Sequence, residues 1–189
     1  MAYDKALLVA AQGQDKLKQW LTGVQLSDVM TVKGAAEARR ITASDAYTLM
    51  LINAPLMDET GLELAIDLAR STTAAVLLLV KTELAPMIND AATEAGVLIV
   101  TKPVIPQVFE QTVRVGLACR NRMLLYKSEN EKLQKKYDEL KIVDRAKCLL
   151  IEHMHITEEE AHRVLEKEAM NSRLPRVRVA RQVLDRFEL

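Results

Sequence analysis

The chain has only two cysteines in 189 residues, Cys119 and Cys148. That is too few for a disulfide framework or a cysteine-rich metal knuckle. Both fall in helical patterns and read as packing residues of a reducing compartment. Long apolar runs are also missing, since a membrane-spanning helix needs about 18 consecutive apolar residues. The first apolar run, residues 6–11, is short for the apolar part of a signal peptide. No cleavage-site pattern follows it, so no membrane association and a cytoplasmic location are expected. There is no Ser/His/Asp or Cys/His set and no glycine-rich phosphate loop. No enzymatic activity and no cofactor are therefore expected. His153 and His155 flank Met154 without a third ligand nearby in sequence, so a metal site is not expected either.

What is present is a large apolar fraction, 49%, enough for a real core, and 28% charged residues for a hydrated surface. The formal net charge of zero conceals an asymmetry. Residues 1–119 hold 10 Lys and Arg against 13 Asp and Glu, a balance of −3; the remaining 16 and 13 give +3. At the C-terminal end Arg173, Arg176, Arg178, Arg181 and Arg186 face only Asp185 and Glu188. Such a basic end fits an anionic partner or a solvated helix face. Charge alone does not choose between them.

Along the first 110 residues, short apolar runs alternate with helical patterns. Residues 6–10 form a buried-strand run, and Leu17, Trp20, Leu21 and Val24 then repeat at helical spacing. Residues 29–32 make a weaker strand and 35–43 a short helix. Residues 47–52 are a strong strand, and Leu62, Leu64, Ala65, Leu68 and Ala69 a helical stripe. Residues 75–80 are aliphatic on both faces; 87–95 are helical, closed by Gly96; 97–100 are the last strand. Buried aliphatic strands alternating with helices predict an α/β fold: a flavodoxin-like, doubly wound (βα)5 domain over residues 1–118.

Residues 4–118 resemble the receiver domains of response regulators. The local marks are the segment 53–64, which runs Asn-Ala-Pro-Leu-Met-Asp-Glu-Thr-Gly-Leu-Glu-Leu, and the pair Lys102-Pro103. The resemblance implies an acidic pair after the first strand for Mg²⁺, an aspartate after the third as phosphoryl acceptor, a hydroxyl after the fourth and a lysine after the fifth. Here the acidic pair falls on Ala10 and Ala11, which offer no oxygen to a hard cation. The acceptor falls on Asn53, whose amide is a poor nucleophile, and the hydroxyl falls on Val80. Only Lys102 matches. Asp58, five residues past Asn53, is the nearest substitute acceptor. A degenerate phosphorylation site is the expectation. Lys102 then either holds the loop through carbonyls near Asn53, before a proline that could be cis, or keeps an anion site.

From Pro106 to Asp144 the only glycine is Gly116 and no further proline occurs. Residues 127–141 favour helix strongly. Placing Met123, Asn130 and Tyr137 at heptad position a and Tyr126, Leu133 and Leu140 at d gives close to three heptads. Paired asparagines at a suit a parallel homodimer. The expectation is a coiled-coil linker helix at 119–141; the alternative is a single helix packed on its own domain.

The last segment, 142–189, reads as three helices. The first continues the long helix through Ile142, Val143, Ala146, Leu149, Leu150 and Met154, and His155-Ile156 breaks it. Thr157-Glu158-Glu159-Glu160 is a capping box. Ala161, Val164, Leu165 and Ala169 line the second helix, which ends at residues 171–174. Pro175 suits the first turn of the third, whose buried side is expected to carry Val177, Ala180, Val183, Leu184 and Phe187, with Val179 adjacent.

This segment resembles the ANTAR domain, the RNA-binding output module of antitermination regulators. The match is carried by Ala146-Lys147-Cys148-Leu149-Leu150-Ile151-Glu152, by Thr157-Glu158-Glu159-Glu160-Ala161-His162, by Ala169-Met170-Asn171-Ser172-Arg173 and by Val179-Ala180. His162 departs from the family's usual aromatic residue, though a flat imidazole could pack or stack there. The resemblance implies binding to paired RNA stem-loops in a leader transcript, which keeps a terminator from forming. It singles out Lys147 and Arg173 as RNA-binding residues. Local charge adds Arg176, Arg178 and Arg181. Small Ala146 and Ala161 would let RNA approach closely. The bland alternative for each cation is a solvated surface charge. Two other readings stay open: a helix-turn-helix DNA-binding regulator with a basic third helix, and a protein-interaction adaptor that no longer reads RNA. Three sources of control stay open: a sequestering regulatory protein, a small ligand at the receiver pocket, or the abundance of the protein itself.

Overall fold

The computed structural model describes residues 5–24, 26 and 28–187. Asp4, where the receiver resemblance begins, and Glu188 of the C-terminal charge balance lie outside the described residues. The chain divides into two compact units, residues 1–125 and 126–189.

The first unit alternates strands and helices: β1 (Lys5–Ala10), α1 (Gln14–Gly23), β2 (Asp28–Val32), α2 (Ala35–Thr42), β3 (Leu49–Asn53), α3 (Leu62–Ser71), β4 (Ala75–Lys81), α4 (Ala85–Ala95) and β5 (Leu98–Lys102). A long helix, α5 (Pro106–Met154), follows and contains the boundary between the units. The strands form one parallel sheet in the order β2-β1-β3-β4-β5. Because side chains alternate along a strand, each strand feeds two cores. Leu7, Val9, Met50, Ile52, Val76, Leu78 and Val80 pack against α2, α3 and α4. Ala6, Leu8, Ala10, Leu49, Leu51, Leu77 and Leu79 pack against α1 and the start of α5, where Phe109 and Val113 are buried. The three central strands are covered on both faces, which is why they read as unbroken aliphatic runs. β2 lies at the sheet edge, and its alternating burial explains its weaker pattern. Gly116 lets α5 lie close on the sheet: a Cβ there would fall 2.9 Å from Leu98 Cδ1.

The third strand starts two residues later than its sequence pattern suggests. Tyr47 is buried ahead of the strand, with its hydroxyl directed at the Met30 sulfur, 3.3 Å away.

The second unit packs the end of α5 against α6 (Glu158–Ser172) and α7 (Arg176–Phe187). Its fully buried core is small: Val143, Ala146 and Leu150 from α5, Ala161 and Leu165 from α6, and Val179 and Ala180 from α7. The capping box is formed as expected, with Thr157 Oγ1 accepting from Glu160 N and the Glu160 carboxylate accepting from Thr157 N. His155, with φ 54°, follows the last residue of α5. His153 stacks on Phe187, 4.6 Å between ring centroids.

Three expectations are corrected here. Cys119 and Cys148 are helical but exposed, so neither is a packing residue. Val179, not Val177, fills the core of α7, because it shares a face with Val183 and Ala180 while Val177 turns toward the side. Pro175 stands just before α7 rather than in its first turn, and its carbonyl accepts from Arg178 N at 2.8 Å.

Candidate nucleic-acid interface

At the carboxyl edge of the sheet, register places Ala10 beside Asn53, Asn53 beside Leu79, and Lys81 beside Lys102. The residues aligned with a phosphorylation site are therefore brought together. Ala10 is fully buried and Val80 nearly so. Asn53 Nδ2 donates to Gln12 O at 2.9 Å. Lys102 Nζ donates to Ala54 O, the carbonyl next to Asn53. The peptide bonds Ala54–Pro55 and Lys102–Pro103 are both cis.

The acidic residues that follow β3 have structural partners. The Asp58 carboxylate accepts from Ala35 N (2.8 Å) and Ala36 N (3.0 Å), the first amides of α2. These two bonds hold its pKa below the ordinary carboxylate value. Gly34 at the start of α2 leaves the space, since a Cβ there would come 2.8 Å from an Asp58 oxygen. Glu59 accepts from Leu64 N (3.0 Å) and pairs with Arg39 (2.8 Å), which also pairs with Asp67 (2.9 Å). Asp58 thus takes the part of an N-cap from another segment. Its folded pKa is depressed, so its stabilisation is full above the unfolded carboxylate pKa and is lost as pH falls through the folded one. Asp58→Asn is expected to lower the urea midpoint of the first unit at about pH 7, and the difference should shrink toward about pH 3. A midpoint unchanged across that range would remove the capping role.

In the second unit the candidate RNA residues separate into three groups. Ala146 and Ala161 have no solvent exposure, because they lie where α5 meets α6. Their small size serves helix packing, and the expectation that RNA approaches them is corrected. Lys147 is charge-compensated: Nζ lies 2.8 Å from both Asp144 and Glu158, and its side chain is only 16% exposed. These hydrogen bonds, Asp144 first and Glu158 next, raise its pKa, and Lys147 lowers that of Glu158 in turn. Arg176 lies 3.4 Å from Glu166, which is also 3.2 Å from His162 Nε2. His162 is thus placed to pair with a carboxylate.

Arg173, Arg178 and Arg181 form the third group. All three are exposed and carry no ion pair among the described residues. Arg173 ends α6 in the left-handed conformation, φ 54°. Arg178 and Arg181 lie on the side of α7 opposite Val179, Ala180 and Val183, as helical spacing requires. Arg181 also borders a cleft with Lys135, and Arg176 one with Lys136. These lysines were hidden in the sequence by the coiled-coil pattern around them. Both clefts carry carboxylates as well, Glu131, Asp138 and Glu139 in the first and Glu139 in the second. Arg173 and Arg178, which line neither cleft, are therefore the more strongly cationic feature. Met170, 79% exposed three residues before Arg173, is an apolar side chain beside them that sequence reading did not single out.

The seam residues Met123, Tyr126, Asn130, Leu133, Tyr137 and Leu140 are all exposed on α5. Among the described residues no helix is long and apolar enough to cross a membrane.

Residues 131–184 match the ANTAR domain family. No curated protein matches the chain. Among solved structures, the chain is similar to a signal receiver domain of an HD domain-containing protein from Pseudomonas fluorescens Pf-5, with TM-score 0.58 and 20% identity over 65% of this chain and 93% of that one. It is similar to a response regulator receiver domain protein from Clostridium thermocellum, with TM-score 0.52 and 17% identity over 64% of this chain and 98% of that one. It also resembles the response regulator StyR, with TM-score 0.67 and 13% identity over 98% and 100%. At these identities the likeness establishes the fold. The chain thus joins a domain of receiver fold to a C-terminal segment that matches the ANTAR domain. The matched segment is of the ANTAR type, which in that family is an RNA-binding antitermination module.

Proposed function

We propose that this chain binds stem-loops in nascent leader transcripts, prevents termination, and is controlled without phosphorylation or any catalysis of its own. The observation that carries the RNA reading is the exposed set Arg173, Arg178 and Arg181, without carboxylate partners among the described residues, on a module that matches the ANTAR domain. Guanidinium groups bind phosphate and stack on unpaired bases, as loop recognition requires. Acting on nascent transcripts places the protein in the cytoplasm. Phosphorylation independence rests on Asn53, Ala10, Ala11 and Val80, and on the engagement of Asp58 with α2. Gel-shift titration of the full chain against a hairpin RNA and a duplex DNA of equal length tests the RNA reading. Tighter binding to the hairpin is expected; tighter binding to the duplex would favour a DNA-binding regulator, and binding to neither an adaptor.

The working unit is a homodimer formed through α5. Five apolar or aromatic side chains and Asn130 repeat at heptad spacing and face solvent. Side chains at that spacing suit burial in a seam against a partner helix. Sedimentation at tens of micromolar should give a dimer for the native chain and a monomer for Leu133→Lys. A native chain that sediments as a monomer would end this reading.

A further inference from the structure

A cleft of about 330 Å³ opens at the carboxyl edge of the sheet, between the loop after β3 and α4. Parallel α/β sheets bind small ligands at this edge. Its walls are mostly apolar, Pro55, Leu62, Val80 and Ile88, with Leu84 and Met87 at the side of α4 and Thr60 as a polar member. Leu84 is 49% and Met87 81% exposed, an arrangement that leaves apolar surface in water. The floor owes its character to Val80, which takes the place of a hydroxyl.

One charged group lines this apolar cleft, Lys81. Its strand neighbour Lys102 donates to the carbonyl of Ala54, which is itself part of the lining. Neither lysine has a carboxylate partner among the described residues. The loop acids have other partners, Asp58 the amides of α2 and Glu59 Arg39. The two ammonium groups sense each other: burial, and after it the charge of Lys81, lower the pKa of Lys102. A mostly apolar cleft bordered by uncompensated positive charge has the complement of an amphipathic anion.

We propose that this cleft binds a small monocarboxylate with an apolar body, its carboxylate on Lys81 and its hydrocarbon between Val80, Leu84 and Met87. The volume lies at the lower end of the range for small-molecule sites, about 300–1,000 Å³, and suits a medium-chain or arylalkyl acid. As a binding site it stands apart from the RNA reading; as a control input it rests on the phosphorylation-independent control proposed above.

The probe is octanoate, titrated into the full chain by calorimetry and followed through the methyl NMR signals of Leu84 and Met87. Saturable one-to-one binding that shifts those signals is expected. 1-Octanol, which lacks the charge, should bind about tenfold or more weakly, the scale of a charge-assisted hydrogen bond. Lys81→Gln, at an exposed position that should leave the fold intact, should weaken octanoate about tenfold and leave octanol unchanged. No saturable octanoate binding, equal binding of octanol, an unaltered affinity in Lys81→Gln, or shifts confined to other methyl groups would each overturn the site. None of these readouts involves RNA, so failure here and failure of the RNA reading are separable.

Discussion

Leu165→Ala is expected to unfold the C-terminal unit while leaving the receiver-fold domain intact. Leu165 has no solvent exposure, and among the described residues it is one of two leucines in the buried core of this unit. Three of the other five members are alanines, Ala146, Ala161 and Ala180. Truncating a buried leucine costs about 2–5 kcal/mol, through lost transfer energy and the cavity left behind. A unit of this size has a total stability of only a few kcal/mol. Its melting transition should fall by roughly 10 °C or more, since about 1 kcal/mol moves a domain of 60–100 residues by 4–8 °C. Circular dichroism at 222 nm should lose the helical signal of α6 and α7 at lower temperature. Methyl NMR signals from the sheet residues should stay in place. RNA binding would be lost with the fold. A variant that melts like the native chain would mean that Leu165 does not carry the packing assigned to it. The same packing sets a limit at Ala146 and Ala161, where a larger side chain would have to push α5 and α6 apart.

The alternation of strands and helices was legible because burial on both sides leaves unmistakable aliphatic runs in β1, β3 and β4. The capping box was legible because its two partners are three residues apart, and the break of α5 at His155 followed from the end of the apolar periodicity. What the sequence hid depends on which segments meet in space. Asp58 looks like a substitute phosphoryl acceptor until the first turn of α2 is found to rest on it, 23 residues earlier in the chain. Lys147 looks like a free cation until α6 brings Glu158 to it across the turn. An alanine in a motif reads equally as room for a ligand or room for a neighbouring helix. At Ala146 and Ala161 the helix takes the room. Cys119 and Cys148 failed for a simpler reason: a helical position says nothing about which side of the helix it occupies until the neighbours are placed. The outward side of α7 was half legible, because its arginines were visible but their partners were not.

Replacing Arg173, Arg178 and Arg181 together by alanine is expected to weaken hairpin RNA binding roughly 100-fold at about 0.1 M salt. All three are exposed, and none has an ion pair among the described residues, so their charge is available to phosphate. Each phosphate neutralised releases about 0.7–0.9 of a counterion, so the slope of log affinity against log salt should flatten by about two units or more. The melting temperature should hold, since exposed substitutions of this kind rarely move stability by more than about 0.5 kcal/mol. Lys147→Ala provides the contrast. Asp144 and Glu158 already neutralise Lys147 at 2.8 Å, so removing it should leave the salt slope unchanged. Its loss should instead lower the stability of the unit, by leaving two carboxylates close together without their shared cation. The measurement is a set of binding isotherms at several salt concentrations, with thermal melts of the same samples. An unchanged slope in the triple variant would remove these arginines from the interface. A flattened slope in Lys147→Ala would return that lysine to it, and would require RNA to displace both carboxylates on binding. The slope thus separates a cation that faces the ligand from one that holds α5 against α6, where position in a motif gave both the same standing.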